Sequence, residues 1–420
     1  MASIAIIGTG VAGMGCGYFL HRRHHIALFE QNDYVGGHTN TITVDEEGTP
    51  IPIDTGFMVY NEVTYPNLTR LFRGLSVPTM DASMSFSVQH VPSGLEYCGS
   101  GLSGLFGQRK NLMNPRFYRL LLNISRFNKE APEILDDPRY VGYTLDRYVV
   151  EKGYSEDFLH RYLIPMSSAV WSTPPEKMLN FPAMTLVRFF KNHGFLGLDA
   201  QHQWRTVSGG SKVYRDLMIA PFKEKIHLRM PVRRVFRQAR HVVLETADGS
   251  QRSFDTVIFA SHADQTLSML SDATERERLL LKEFKYQTNI ATLHTDTRVM
   301  PGNRRIWSSW NYRIQTDANG VVKPSTIYYM NSLQKVSRKK DYFVSIDDPG
   351  TVRPEKILKT ITYEHPLYTP QSAAAQGTLA SLNAQGSVYF CGSYFRYGFH
   401  EDAFTSAVQL CETITGGNVW

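Results

Sequence analysis

The sequence predicts an α/β fold in two parts: a domain built on a parallel sheet with helices, and an α+β domain with a mixed sheet and helices. Three observations predict it. A buried strand at residues 4–7 runs into a glycine-rich turn and then a helix at residues 12–20. A second apolar strand, at residues 26–29, ends on an acidic residue. From about residue 74 to residue 203 the apolar spacing becomes helical. Because strand–helix–strand order produces parallel sheets, the first part is predicted to be doubly wound.

The turn after the first strand carries the glycine pattern of a dinucleotide-binding site. Gly8, Gly10 and Gly13 form G-x-G-x-x-G, with Val11 and Ala12 between the last two glycines. The first glycine makes the turn tight, the second lets backbone approach a pyrophosphate, and the third allows close helix–strand packing. The helix N-terminus offers free N–H groups and a positive dipole end to the phosphates. These five residues are predicted to bind the dinucleotide.

The acid at the end of the second strand completes the pattern. Glu30 stands about twenty residues after the glycines, where a carboxylate accepts hydrogen bonds from ribose hydroxyls. Gln31, which follows it, is predicted in the same site. A carboxylate here repels a 2′-phosphate, which argues against NADP. Strand, glycines, helix, strand and acid stand in the required order, so the sequence predicts a Rossmann-like dinucleotide-binding domain.

Length and composition are typical of a globular protein. The chain has 420 residues, of which 42% are hydrophobic and 20% charged, and this length suits two domains. The glycine motif starts so early that we expect no signal peptide, and no apolar run reaches the roughly 18 residues of a membrane span. The four cysteines are scattered, without metal or redox spacing. We therefore predict a cytoplasmic protein with reduced thiols and no metal site.

The positive charge of the chain allows two interpretations. Net charge is +6, with basic clusters at residues 22–23, 233–234, 304–305 and 338–340. These clusters could attract an anionic substrate or the inner face of an anionic membrane, as a peripheral contact. Solvated charge spread over several faces is the alternative. No nucleic-acid-binding module is recognisable, so no nucleic acid is expected as a partner.

Residues 30–38 indicate which dinucleotide to expect. After Glu30 the chain reaches Gly36, Gly37 and His38, and this arrangement resembles the acid-plus-double-glycine signature of flavoproteins with two dinucleotide-binding domains. It is similar to the superfamily of flavin-containing amine oxidases, phytoene desaturases and protoporphyrinogen oxidases. The resemblance implies noncovalent FAD in an FAD-binding domain of the GR2 type, whose glycine pair lets the chain pass close to the flavin diphosphate. An ordinary Gly-Gly turn is the alternative.

A second G-x-G-x-x-G, at residues 99–104, lacks this context. It follows the polar stretch 92–98 instead of a buried strand, and no acid stands about twenty residues later. We interpret it as a flexible loop. With a single nucleotide fingerprint, NAD(P)H is not expected to reduce the flavin.

The resemblance covers essentially the whole chain and implies that both domains are discontinuous. Residues 1–73, 204–261 and 377–420 are expected to form the FAD-binding domain. Residues 74–203 and 262–376 are expected to form the substrate-binding domain.

The resemblance also implies which further residues surround the cofactor. The segment after residue 51 resembles the family's strand and turn with Asp-x-Gly beside the isoalloxazine ring. The C-terminal segment resembles its strand, glycine, loop and helix, whose N-terminus points at the flavin. Backbone at the position of Val232 faces the adenine in the family. The residues so implied are Thr55, Gly56, Phe57, Met58, Val232, Gly392, Ser393, Glu401 and Asp402.

Two residues near the C-terminus are candidates for the chemistry. A flavin oxidation moves hydride from a substrate C–H to flavin N5, and negative charge develops near N1. His400 has an ordinary pKa of about 6.5, which suits proton transfer; a histidine that caps the helix or fills a turn is the alternative. Tyr397 is the second candidate, with ordinary packing as its alternative. Glu401 would face the charge on the flavin, so we expect it to bind ribityl hydroxyls or backbone amides.

Departures from the amine oxidase branch weaken an amine as substrate. That branch carries a lysine on a substrate-domain strand, and the corresponding residues 289–295 have none; Ser393 replaces the usual acid or threonine. A narrower resemblance, carried by residues 37–41, 54–62 and 397–402 among others, is to a bacterial group of FAD-dependent oxidoreductases. Related domains are fused to cyclopropane-fatty-acyl synthases in plants, which suggests a lipid substrate.

Three hypotheses follow. The first is an FAD-dependent dehydrogenase or desaturase that acts on an apolar fatty-acyl or phospholipid-linked substrate, and it predicts a long apolar channel. The second is an amine oxidase that releases peroxide, and it predicts acidic residues at the entrance. The third is a non-catalytic flavin-binding partner of a lipid methyltransferase.

Overall fold

The computed structural model describes residues 1–99, 101–197, 202–317, 319–384 and 386–420. Its strands are β1 (Ser3–Ile7), β2 (His25–Phe29), β3 (Thr41–Glu46), β4 (Thr49–Asp54), β5 (Tyr60–Asn61), β6 (Thr79–Ala82), β7 (Phe86–His90), β8 (Leu95–Cys98), β9 (Trp204–Val207), β10 (Ile226–His227), β11 (Val232–Arg237), β12 (Val242–Thr246), β13 (Gln251–Phe254), β14 (Thr256–Phe259), β15 (Lys285–His294), β16 (Trp310–Thr316), β17 (Val322–Tyr329), β18 (Phe343–Ile346), β19 (Ile357–Leu367) and β20 (Val388–Phe390).

Its α-helices are α1 (Val11–Leu20), α2 (Pro66–Gly74), α3 (Gly101–Leu105), α4 (Pro115–Glu130), α5 (Leu145–Glu151), α6 (Glu156–Phe158), α7 (Ile164–Trp171), α8 (Pro175–Met178), α9 (Ala183–Asn192), α10 (Lys212–Ile219), α11 (Ala263–Met269), α12 (Glu275–Leu281), α13 (Met330–Leu333), α14 (Pro370–Leu379) and α15 (His400–Thr415). A π-helical turn, Leu159–Leu163, joins α6 to α7. Within the described ranges, no helix has both the length and the apolar character to cross a membrane.

A parallel sheet forms the first domain. Its strand order is β10-β2-β1-β14-β20, and every neighbouring pair is parallel. The central strand β1 pairs on both sides, and its residues Ile4 to Ile7 are buried. Apolar, mainly β-branched residues suit a strand that is covered on both faces. The prediction of a Rossmann-like α/β domain is confirmed.

Two helices pack closely on this sheet. A Cβ added to Gly15 in α1 would lie 3.1 Å from Ala407 Cβ and from a ring carbon of Phe404, both in α15. The glycine therefore lets α1 and α15 approach each other. On the other face, the antiparallel sheet β11-β12-β13 contributes Val235 and Leu244 to a shared core.

A mixed sheet forms the second domain. Its order is β19-β15-β18-β17-β16-β7-β8, with antiparallel neighbours except for the parallel pair β16 and β7. Helices α4 to α9 share an aromatic-rich core with this sheet. The prediction of an α+β domain with a mixed sheet and helices is confirmed.

Both sheets take strands from distant parts of the chain. The parallel sheet combines strands from residues 3–29, 226–259 and 388–390, and the mixed sheet combines residues 86–98 with residues 285–367. This agrees with discontinuous domains, while the exact domain boundaries stay a prediction.

Two sequence predictions involve residues outside the described ranges. Ser100 in the second glycine motif and residues 198–201 in the first substrate-domain segment are among them. The loop predicted at this motif is wrong for the residues that follow, because Gly101–Leu105 form α3. A Cβ on Gly104 would lie 3.0 Å from the carbonyl oxygen of Cys98, so this glycine serves local packing.

The cysteines are less scattered in space than in sequence. Cys16, Cys391 and Cys411 are buried, and the Sγ atoms of Cys16 and Cys391 lie 3.7 Å apart. The three residues belong to α1, to the turn after β20 and to α15, which meet only in the folded domain. In the described part of the chain, no group of three or more His, Cys, Asp or Glu has the geometry to hold a metal ion.

Candidate active site

A cavity of about 730 Å³ lies between the turn after β1 and strand β19 of the mixed sheet. The predicted site residues that line it are Gly8, Gly10, Val11, Ala12, Glu30, Gln31, Gly36, Gly37, His38, Gly56, Phe57, Met58, Val232, Gly392, Ser393 and His400. Gly13, Thr55, Tyr397, Glu401 and Asp402 do not line it.

The glycines of the first turn have distinct environments. Gly8 has a positive φ of 99°, and a Cβ on Gly13 would lie 1.9 Å from the carbonyl oxygen of Gly8. A Cβ on Gly10 would have no atom within 4 Å. The first and third glycines therefore close the turn, and the second leaves open space where a phosphate can approach the backbone.

This difference predicts different effects of two substitutions. In G13A the methyl group collides with backbone, so we expect the free energy of unfolding to fall by about 1–3 kcal/mol. In G10A the methyl group meets only the cavity, so we expect wild-type stability and FAD affinity lowered by roughly tenfold, the equivalent of about 1.4 kcal/mol. Urea unfolding of the apoprotein and fluorescence titration with FAD measure the two effects. Equal stability losses in both variants would contradict the assignment.

Glu30 is held in position by its neighbours. Its Oε2 accepts hydrogen bonds from Thr9 N at 3.1 Å and Thr9 Oγ1 at 2.6 Å. Its Oε1 accepts from Asn32 N and Nδ2, both at 2.9 Å. The carboxylate is thus fixed at the cavity wall before any ligand arrives. Thr9 and Asn32 were not predicted, although each stands next to a predicted residue.

The double glycine brings a second backbone turn against the first. Gly36 and Gly37 have φ values of 121° and 57°, and a Cβ on Gly37 would lie 3.4 Å from Gly10 Cα. The following ring, His38, stacks on Tyr363 with ring centroids 4.7 Å apart. His38 Nε2 is buried and has no hydrogen-bond partner in the described structure. Burial lowers the pKa of His38 well below its usual range, so this ring is neutral.

The Asp-x-Gly segment passes beneath His38. A Cβ on Gly56 would lie 2.2 Å from the carbonyl oxygen of His38, and Phe57 N donates to that oxygen at 2.7 Å. Thr55 is buried behind this turn, where its hydroxyl donates to Asn40 O at 3.1 Å. Its position supports the turn, which explains why it does not reach the cavity.

His400 lines the cavity but is held by other side chains. Its ring stacks on Phe57 with centroids 3.9 Å apart, and its Nε2 forms a short hydrogen bond with the hydroxyl of Tyr214 and another with Thr39 Oγ1 at 3.3 Å. Burial lowers the pKa of His400 to about 3. A neutral, hydrogen-bonded ring that fills the turn fits these contacts better than the predicted proton transfer.

Three other predicted residues make contacts outside the cavity. Glu401 accepts hydrogen bonds from the backbone N–H groups of Asn67 and Leu68, both at 2.9 Å, and so caps α2; of its two expected kinds of partner, backbone amides are the observed one. Asp402 accepts from Phe399 N at 2.9 Å at the start of its own helix. The side chain of Tyr397 packs against the core of the helical domain. All three stabilise the C-terminal segment around the cavity.

One end of the cavity is apolar and aromatic. The side chains there are Met84, Val170, Trp171, Phe189, Phe195, Trp204, Trp310, Tyr328 and Phe399. Among the described residues no lysine, arginine or aspartate lines the cavity, and Glu30 and Glu364 are its only carboxylates. Glu364 Oε2 lies 3.3 Å from His262 Nδ1 and accepts a hydrogen bond from Gln265. This end therefore suits an uncharged, apolar group.

A histidine that the sequence analysis missed faces the same cavity. His365 Nδ1 lies 2.7 Å from Asn289 Oδ1. The amide group of Asn289 donates through Nδ2 to Ser172 O at 3.0 Å and to Asp347 Oδ2 at 2.6 Å, so its Oδ1 must be the acceptor towards the ring. His365 Nδ1 therefore carries the proton and Nε2 carries a lone pair. No described residue bonds to this Nε2.

Burial and, to a smaller extent, His262 together lower the pKa of His365 to about 4, so the ring is neutral near pH 7. The alternation of β19 was the available signal, since Tyr363 and His365 stand two residues apart in a strand and share one face.

Fold and site together define a flavin-dependent oxidoreductase. The open backbone at Gly10, the adjoining glycine pair, the fixed carboxylate of Glu30 and the unpartnered Nε2 of His38 fit the phosphates and polar groups of a flavin dinucleotide. The chain belongs to the flavin-containing amine oxidoreductase family, whose model matches residues 11–301. Its cofactor is FAD.

Solved structures share the fold at low sequence identity. A conjugated-linoleic-acid-producing fatty acid isomerase from P. acnes is 13% identical, with a TM-score of 0.69 and coverage of 99% of this chain and 98% of that one. Cyclohexylamine oxidase from Brevibacterium oxydans IH-35A is 15% identical, with a TM-score of 0.70 and 99% of both chains covered. A protein assigned as protoporphyrinogen oxidase from Exiguobacterium sp. 255-15 is 15% identical, with a TM-score of 0.65 and 98% of both chains covered. No curated protein sequence matches the chain significantly.

Proposed function

We propose that the protein is an FAD-dependent dehydrogenase or desaturase for an apolar fatty-acyl or phospholipid-linked substrate. The observation that carries the proposal is the aromatic end of the cavity, whose side chains named above include no charged residue. An acyl chain can fill such a space without leaving a buried charge unpaired. A cationic amine would need an anionic partner there, and none of these side chains is a carboxylate.

The proposed cofactor contacts follow the cavity from one end to the other. Glu30 accepts hydrogen bonds from the ribose, and backbone at Gly8, Gly10 and Gly37 faces the diphosphate. The unpartnered Nε2 of His38 would hydrogen-bond to a polar group of the cofactor. Bound FAD supplies a two-electron hydride acceptor. Attachment is proposed to be noncovalent, so acid precipitation should release all of the flavin into the supernatant; flavin retained in the pellet would contradict this.

His365 is the proposed proton acceptor. When a substrate carbon gives up hydride, the neighbouring carbon must lose a proton for a double bond to form. The lone pair on His365 Nε2 takes that proton, and Asn289 holds the ring in the required tautomer. The imidazolium then returns the proton to solvent. His400 keeps its neutral contact with Tyr214 throughout.

The low-identity neighbours do not decide the substrate. One is named for a fatty acid and another for an amine, and at 13–15% identity they share the fold with this chain. The assignment of an acyl substrate therefore rests on the cavity lining and on the departures of the sequence from the amine oxidase branch.

Anaerobic reduction of the bound flavin tests the proposal. Phospholipid extract in mixed micelles is expected to bleach the flavin absorbance of the holoprotein, whereas putrescine and cyclohexylamine are expected to leave it unchanged. Reduction by an amine alone would support the amine oxidase hypothesis instead. A flavin that neither class reduces would favour the hypothesis of a flavin-binding partner of a lipid methyltransferase, which co-purification with such an enzyme would test.

A further inference from the structure

A group of apolar side chains lies exposed on the outer surface of the substrate domain. Leu112, Met113, Tyr118 and Leu122 line one shallow depression together with Pro115 and Arg119. Met113 is 87% exposed and Leu122 is 70% exposed. We call this surface, formed by residues 109–122, the docking face. Single exposed apolar residues are common on proteins, whereas a contiguous group of large ones is a candidate contact surface.

The docking face is part of ordered structure and not a frayed end. Helix α4 buries Phe117, Leu120 and Phe127 in the domain core while it exposes Leu122. The preceding turn is held by two bonds: Asn114 caps the helix by accepting from Arg116 N at 3.1 Å, and Tyr118 donates its hydroxyl to Leu112 O at 3.0 Å. The apolar side chains are thus presented to solvent by a fixed backbone.

The charged residues in the sequence around the docking face are all basic, and one of them, Arg116, pairs with Asp157 of α6. Residues 97–129 contain no aspartate or glutamate, and their basic residues are Arg109, Lys110, Arg116, Arg119, Arg126 and Lys129. Arg109, Lys110 and Arg119 are exposed and form no ion pair with any described residue. In contrast, two basic clusters that the sequence analysis considered are neutralised in part, since Arg304 pairs with Asp341 and Lys339 with Glu47.

We propose that the docking face binds the surface of an anionic phospholipid bilayer. Apolar side chains that enter the interface, together with unpaired cations at the same level, are the combination that binds such a surface peripherally. This inference rests on the proposed function, because membrane binding would bring the apolar cavity close to a lipid substrate. The core that α4 buries also contains Trp171 and Phe189 of the cavity wall, so the docking face and the substrate end belong to one packed unit.

Co-sedimentation of the FAD-loaded protein with vesicles tests the docking face. We expect binding to vesicles of phosphatidylglycerol and phosphatidylcholine, and at least about tenfold weaker binding to phosphatidylcholine alone. The variants M113S/L122S and R109E/R119E are each expected to lose at least about tenfold in partitioning to the anionic vesicles. Their exposed positions predict an unchanged fold, and FAD content and thermal midpoint verify this.

A matched variant with the same change of charge on another surface serves as the control. R22E/R23E alters two exposed arginines of the FAD-binding domain and is expected to bind vesicles within about threefold of the wild type, because those residues are not part of the docking face. The proposal is wrong if M113S/L122S binds vesicles like the wild type, or if R22E/R23E loses as much vesicle binding as R109E/R119E. Concentration-dependent self-association without vesicle binding would identify a second copy as the occupant and overturn the proposal.

The same samples separate the docking face from the proposed function. If the wild-type protein binds vesicles but no lipid reduces its flavin, the membrane-binding proposal is supported and the proposed lipid substrate is contradicted. M113S/L122S that is reduced normally by micellar lipid, and slowly by vesicles, supports both.

Discussion

Replacement of His365 by glutamine is expected to slow lipid-dependent reduction of the flavin by about 10²–10⁴-fold, the usual contribution of a positioned general base. Glutamine can still donate a hydrogen bond to Asn289 Oδ1, so the support of the ring is retained while the basic lone pair is lost. Stopped-flow absorbance of the anaerobic half-reaction measures the rate constant. FAD content and thermal midpoint should match the wild type.

His262 provides the matched control. It is another histidine of the cavity wall, but it stacks on Tyr286 with centroids 4.2 Å apart and its Nδ1 faces Glu364. H262Q is expected to change the rate constant by less than about tenfold, since no proton transfer is assigned to it. A wild-type rate in H365Q, or an equal loss in both variants, would remove His365 from the mechanism.

The pH profile gives a second check on His365. Its pKa, lowered to about 4 by burial, keeps the base unprotonated at neutral pH. The rate constant should therefore be flat from roughly pH 6 to pH 9 and fall only in more acidic solution. The rings that lie against His365 are those of His38 and Tyr363, and the charged group that affects its pKa is His262. An inflection near pH 6.5 would show instead a histidine with an ordinary pKa.

Substitution of Asp54 by alanine is expected to lower the free energy of unfolding by about 3–5 kcal/mol, because several buried donors lose their acceptor together. The carboxylate accepts from Ser211 N at 2.9 Å, Ser211 Oγ at 2.8 Å, Thr41 Oγ1 at 2.5 Å and Gln334 Nε2 at 2.6 Å. These partners come from three separate segments of the chain, so Asp54 joins the two domains. Urea denaturation measures the change; a loss below about 1 kcal/mol would contradict this role.

Asp54 also predicts the direction of a pH effect on stability. Burial raises its pKa to about 6, so the folded protein binds more protons than the unfolded chain between about pH 4 and pH 6. Stability contributed by this group is present at the acidic end of that range and is lost as pH rises through it. Relative to D54N, the wild type should lose about 3 kcal/mol of stability over this range. A constant difference between the two proteins would show that Asp54 does not titrate there.

The FAD-binding turn could be predicted because its chemistry is local. Strand, glycines, helix and Glu30 all fall within the first thirty residues, and Gly8 and Gly13 perform backbone tasks that no other residue can. The predicted residues from Gly8 to His38 accordingly line one cavity, except Gly13, whose packing against Gly8 is the task that was predicted for it.

The proposed base, His365, and the helix cap formed by Glu401 could not be predicted, because both depend on residues that are distant in the sequence. Asn289 meets His365 only through the antiparallel register of β15 and β19, which pairs Asn289 with Tyr363 and so brings it diagonally next to His365, 76 positions away. Glu401 likewise caps a helix 334 positions earlier in the chain. The sequence analysis left ribityl hydroxyls and backbone amides open as partners of Glu401, but it could not show that the amides are the unsatisfied N–H groups at the start of α2.

The position of β20 at one edge of the parallel sheet determines when the cofactor site can exist during synthesis. The glycine turn leaves the ribosome first, whereas β14 and β20, on one side of β1, follow some 250 and 380 residues later. At about 5–20 residues per second, β20 is translated roughly 20–80 s after β1. FAD capture is thus a late event for the nascent chain, and the Rossmann-like turn must stay open, or shielded by chaperones, until translation is nearly complete.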